Sequence, residues 1–144
     1  ELLIDRSIEK AGTFADMIAK HPDFELTTSP TLSLLTYRVC PAGLQEKLKH
    51  ADEATKDKIN EKLDRLTVIV QKQQREAGKS FVSRTRLEAP EYPTNCITVF
   101  RVVLANPLTS TQDLRNILNE QHVIATGTKL YKELVKIIVT IPVA

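Results

Sequence analysis

Ile97-Thr98-Val99-Phe100-Arg101-Val102-Val103-Leu104 is the stretch on which the reading of this chain turns. Apart from Thr98 and Arg101 every residue in it is apolar, and most are β-branched or aromatic, which is strand composition. A strand that is apolar on both faces belongs near the centre of a sheet. It reads as Cys96 to Ala105, and Asn106-Pro107 ends it. Arg101 interrupts the pattern. On alternation it shares a face with Ile97, Val99 and Val103. A guanidinium does not readily lose its charge, and burying it unpaired costs several kcal/mol or more, of the order of ~5. It therefore needs a carboxylate of this chain, access to water, or a ligand, and its fork of donors suits a carboxylate.

Working outward, Ser80 to Leu87 has the Phe, Val and Thr content of a second strand, joined to the first by a proline-containing loop over Ala89 to Asn95. After Asn106-Pro107, Ser110-Thr111-Gln112-Asp113 opens a helix in the manner of a capping box. Leu114, Ile117, Leu118 and Ile124 form its apolar stripe, and Gly127 ends it. The tail from Lys129 to Ala144 fits a helix through Leu130, Leu134, Ile137 and Ile138, or a strand through its β-branched residues; the helix is preferred.

Towards the N-terminus, Gln45 to Ala77 is highly charged. Ile59, Leu63, Leu66 and Val70 nevertheless recur at helical spacing, with Gly78 placed as a C-cap. The intervening charges read as a solvated face. Thr31 to Cys40 is a strand closed by Pro41-Ala42-Gly43, and Phe24, Leu26 and Thr28 alternate in a shorter strand ending at Ser29-Pro30. Arg38 lies near a strand end, where an ion pair or water accounts for it. The first helix, about Asp5 to Lys20, carries Ile4, Ile8, Ala11, Ala15 and Ile18 on one stripe and stops before Pro22. It starts in register without Met or an N-cap, as a piece of something longer would.

The order helix-strand-strand-helix-strand-strand-helix implies an α+β domain: an antiparallel sheet of about four strands with helices on one face. At 144 residues the chain has room for one domain with a real core. Residues 1–144 are read as one small domain, with 126–144 a tail packed on it or on something outside the chain. The net charge is +2 with both signs interspersed, so there is no footprint for nucleic acid, and no apolar run has membrane-spanning length. Cys40 and Cys96 sit in apolar strands and read as buried free thiols of a reducing cytoplasm. His21, His50 and His122 lack metal-ligand spacing, and His122 reads as a surface residue rather than a general base. Four scattered glycines make no phosphate loop. No catalytic residue and no metal ligand is expected in this chain.

Ser80-Phe81-Val82-Ser83-Arg84-Thr85-Arg86-Leu87, then Phe100-Arg101-Val102-Val103-Leu104-Ala105-Asn106-Pro107, then the helix opening at Thr109 to Asp113, resemble the C-terminal domain of group II pyridoxal-phosphate-dependent decarboxylases. Phe24-Glu25-Leu26 and Leu32-Ser33-Leu34-Leu35-Thr36-Tyr37-Arg38 are similar to the paired strands that begin that domain. The resemblance covers about residues 1 to 125. It looks closest to the glutamate and aspartate branch, bacterial pyridoxal-dependent aspartate 1-decarboxylases among them. It implies the small-domain fold of a fold-type I enzyme, and Arg101 in the place of the arginine that binds the substrate α-carboxylate. It further implies that pyridoxal 5'-phosphate and the residues holding it lie in a large domain outside this chain. The whole protein would then be a cytoplasmic homodimeric carboxy-lyase, the isolated chain inactive and free of cofactor. A free-standing ligand-binding or regulatory module, and the small domain of another fold-type I enzyme, are the other readings.

Overall fold

The computed structural model describes residues 2–31, 33–78, 82–88, 96–104 and 109–140. In chain order they form α1 (Leu2–Lys20), β1 (Phe24–Thr31), β2 (Leu34–Val39), α2 (Leu44–His50), α3 (Glu53–Ala77), β3 (Ser83–Glu88), β4 (Cys96–Val103), α4 (Thr111–Thr126) and α5 (Lys129–Thr140). The class is α+β. All strand pairs are antiparallel, in the order β1-β2-β4-β3, so β4 is central and flanked on both sides. The strand expected from Ser80 starts at Ser83, and 79–81 lie outside the described residues.

The elements follow from local chemistry. The Asp52 side chain accepts from the Thr55 amide and starts α3, while Ala51 takes an extended conformation. The charged stretch expected as one helix is therefore two, α2 and α3, with the break at a residue suited to an N-cap. Gly78 adopts φ 70° and its N–H returns to Arg75 O, ending α3 in the left-handed region that glycine tolerates. Gly43 adopts φ 84° ahead of α2, and an added Cβ would stand 3.1 Å from Ile138 Cγ2 of α5. α4 opens with a full capping box: the Ser110 hydroxyl accepts from the Asp113 amide while the Asp113 carboxylate accepts from the Ser110 amide.

The α3 stripe of Ile59, Leu63, Leu66 and Val70 is buried as its spacing requires. On α1 the stripe is shifted. Ala11, Phe14, Ala15 and Ile18 are buried, but Ile8 is 40% exposed. The core therefore takes up the C-terminal part of α1, and Phe14 is its aromatic member. In α4, Leu114 and Leu118 are buried, Ile117 and Ile124 only partly, and Gln121 is buried fully. Tyr37 sits at the centre, ringed by Phe14 of α1, Phe24 of β1 and Phe100 of β4 at centroid separations of 5.2–5.9 Å. Its hydroxyl donates to Gln121 Oε1 (2.7 Å), and Gln121 Nε2 donates to Gln74 Oε1 of α3. Two helices are thus tied to the sheet by a buried polar chain that only well-placed partners can satisfy.

The segment from Lys129 is helical, and Leu134 is its fully buried residue. α5 packs on α2, α3 and α4.

Candidate functional site

Arg101 lies on β4 with Thr36 of β2 opposite on one side and Ser83 of β3 on the other. Its neighbours Phe100 and Val102 are buried, whereas Arg101 and Val103 are exposed, Val103 by half. Ile97 and Val99 share Arg101's alternation but are buried, so that side of β4 opens only from Arg101 onward. Among the described residues no carboxylate pairs with Arg101, while Ser83 Oγ donates to the Arg101 carbonyl at 3.2 Å. The result is an exposed cation on the sheet, with its carbonyl occupied and its side chain without a carboxylate partner among the described residues.

Arg38 has the opposite setting. It is fully buried, its Nε is ion-paired with Glu25 of the neighbouring strand, and its Nη1 donates to Asn60 Oδ1 of α3 at 3.0 Å. Of the ion pair or water expected to account for it, the ion pair is present. Burial at 0% is deeper than its place near a strand end indicates. The Asp64 carboxylate, within electrostatic reach of Arg38, accepts from the Thr98 amide (2.8 Å) and faces Arg86 at 3.9 Å. Burial raises the Asp64 pKa against the lowering effects of that amide and of Arg86.

A second polar cluster joins five elements. Asp23, just before β1, accepts from the Ala42 amide, from Tyr131 Oη of α5 (3.0 Å), and pairs with His122 Nε2 of α4 at 2.7 Å. The Asp23 amide donates to His21 Nδ1, and the His21 and His122 rings are 5.0 Å apart. Burial pushes Asp23 up, but the donors from Ala42, His122 and Tyr131 outweigh it and leave its pKa lowered. His21 is lowered by burial and then by the neighbouring His122. His122 is thus a half-buried bracing residue rather than a free surface one. Nothing in the local sequence pairs it with Asp23, 99 residues away.

Neither cysteine is in a disulfide. Cys40 is buried, and desolvation pushes its thiol up to about 12, which makes it inert as a nucleophile. Cys96 is half-buried rather than buried, with its sulfur 3.2 Å from Arg86 Nε. Among the described residues no group of three His, Cys, Asp or Glu could hold a metal ion, and no helix is long and apolar enough to cross a membrane.

Known proteins share this fold. Mouse CSAD superposes with a TM-score of 0.68 at 20% identity, over 87% of this chain and 23% of that one. The glutamate decarboxylase domain of a diaminobutyrate-pyruvate transaminase and L-2,4-diaminobutyrate decarboxylase from Vibrio parahaemolyticus gives 0.63 at 21% identity, over 88% and 22%. Oryza sativa TDC, solved with PLP and tryptamine, gives 0.60 at 16% identity, over 86% and 22%. No protein-family model matches the chain. The fold is that of the C-terminal part of group II pyridoxal-phosphate decarboxylases. In sequence the chain is similar to one protein in particular: it is 53% identical over 130 residues to an aspartate 1-decarboxylase of Aliivibrio fischeri. That match takes in 90% of this chain and 24% of the relative, so the chain spans about a quarter of the relative's length.

Proposed function

We propose that this chain is the small domain of a pyridoxal-phosphate-dependent decarboxylase acting on an acidic amino acid, aspartate first and glutamate second. In this reading it closes over the active site of a large domain and presents Arg101 to the substrate α-carboxylate. The observation that carries the reading is the state of Arg101: an exposed guanidinium in an inner strand, with no carboxylate partner among the described residues. The 53% identity to an aspartate 1-decarboxylase supports the substrate class.

The described residues do not fit pyridoxal phosphate by themselves. A lysine that forms a Schiff base works from a desolvated pocket, and every described lysine is half-buried or exposed. The cofactor, which when bound would accept the electrons released as carbon dioxide leaves, belongs to the large domain. This chain contributes the grip on the carboxylate. Two parallel N–H···O bonds fix the plane of that group as well as its place, and fixed orientation is itself a source of rate. The whole protein is read as a cytoplasmic homodimer, and the isolated chain as inactive.

The test is carbon dioxide release by the full-length protein with pyridoxal phosphate, on aspartate, glutamate, cysteine sulfinate and aromatic amino acids. Aspartate or glutamate should turn over fastest. Arg101→Lys keeps the charge but loses the fork, and should lower kcat/KM about 100-fold, the scale of hydrogen bonds to a charged group. Unchanged turnover by Arg101→Lys and Arg101→Ala would remove Arg101 from the site. Preference for an aromatic substrate would overturn the substrate class.

A further inference from the structure

Opposite Arg101 stands Thr36, and β1 sets two threonines against it where a regular ladder would set one. The register of β1 on β2 shifts between Leu26 and Thr28, so that Thr27 is the extra residue of a bulge. Bulges re-aim side chains, and this one brings Thr27 Oγ1 and Thr28 Oγ1 each to 2.8 Å from Thr36 Oγ1. The Thr36 amide also donates to Thr28 Oγ1 at 3.1 Å. Three hydroxyls carry three protons, and the two oxygen–oxygen contacts use two of them. Whichever way the hydroxyls rotate, one O–H is left without an acceptor among the described residues. Thr36 is only 6% exposed, a setting in which an unmade hydrogen bond is penalised. Opposed residues on paired strands project from the same face, with Cβ atoms about 5 Å apart. Where Thr36 accepts from both neighbours, the spare proton is its own and adjoins the Arg101 guanidinium, which has no carboxylate partner among the described residues. The Ser83 hydroxyl on the other side is engaged by the Arg101 carbonyl.

We propose that the Thr27–Thr28–Thr36 cluster is the second half of the Arg101 carboxylate site, with Thr36 as its hub. Arg101 holds the carboxylate by its fork, and the cluster donates its remaining hydroxyl proton to one of the same oxygens from the neighbouring strand. A donor from the neighbouring strand adds a third point of contact to the two that the fork supplies. The proposal rests on the reading of Arg101 as a carboxylate ligand, and the experiment separates the two.

Steady-state kinetics of the full-length holoenzyme are compared for the parent, Thr36→Val, Thr36→Ser and Arg101→Lys, with melting temperature and cofactor absorbance recorded for each. Thr36→Val should raise KM about tenfold, the scale of one hydrogen bond to a charged group. Melting temperature and cofactor absorbance should not change, and Thr36→Ser should restore KM. A Thr36→Val KM within twofold of the parent, beside a raised KM in Arg101→Lys, overturns the cluster's role and leaves that of Arg101 standing. If neither variant moves KM, the reading of Arg101 falls, and the cluster's role with it. Should Thr36→Val fail to fold, Thr27→Val on the half-exposed side of the cluster takes its place, with the same twofold limit.

Discussion

Arg38 is fully buried, with its guanidinium met by the Glu25 carboxylate of β1 and by Asn60 Oδ1 of α3. Replacing it by Met strands Glu25 beside an apolar chain and leaves Asn60 without its donor. Arg38→Met should lose about 3 kcal/mol in urea unfolding, the lower end for a broken buried pair, because Glu25 keeps some contact with water. The double variant Arg38→Met, Glu25→Leu should recover part of that loss; a double variant less stable than the single one would contradict the account. Tyr37→Phe leaves Gln121 Oε1 buried without a donor and should lose about 1–2 kcal/mol. Of the two strand arginines, Arg101 was legible in the sequence because a charge amid β-branched residues must be accounted for. Its environment was not. Whether a carboxylate, water or a ligand answers it depends on which strands flank β4, and the hydroxyls of Thr27, Thr28 and Thr36 converge only through a bulge. Pairing across strands cannot be read from composition.

At the scale of elements, the Asp23 cluster ties the end of α1, β1, the start of α2, α4 and α5 into one corner of the fold. His21 binds its proton less readily in the folded chain than in the unfolded one, so its contribution is complete above its ordinary pKa of 6.5 and is lost as pH falls below it. Asp23, also lowered, contributes above its ordinary 3.8 and loses that contribution on further acidification. Asp64, raised by burial, has the opposite sign: its folded form favours the proton, so it gains stability in acid. Melting temperature should therefore fall between about pH 7 and pH 5, the range in which His21 takes up its proton in the unfolded chain. His21→Gln should flatten that slope, and an unchanged slope in this variant would exclude His21 as its source. Ser110→Ala should lose about 1 kcal/mol by removing the acceptor for the Asp113 amide of α4. The helices and strands themselves were largely legible, since 3.6-residue stripes and β-branched runs mark them. The break between α2 and α3 was obscured by a continuous run of charge, although Asp52 followed by Thr55 carried the cap that makes it. The α1 stripe was misplaced at Ile8 because periodicity gives a helix face without saying where along the helix the sheet ends.

For the whole molecule, the α+β class and antiparallel sheet follow from the order of the segments, whereas the β1-β2-β4-β3 arrangement comes only from the structure. Under the proposed function the isolated chain should release no carbon dioxide and show no cofactor absorbance with pyridoxal phosphate, while mixing it with the rest of the parent protein restores both. Activity in the isolated chain would overturn the division of labour. The same strand order leaves β1 and β3 on the outside, and sheets that end in open backbone recruit one another into stacked fibrils. Here β1 is kinked out of register at Thr27, and β3 carries Arg84, Arg86 and Glu88 exposed along its length. Such irregularities and charges disfavour pairing of an edge strand with another copy. Arg84→Val with Arg86→Val should bind more thioflavin on standing than the parent chain does, and equal binding would exclude these charges as edge protection.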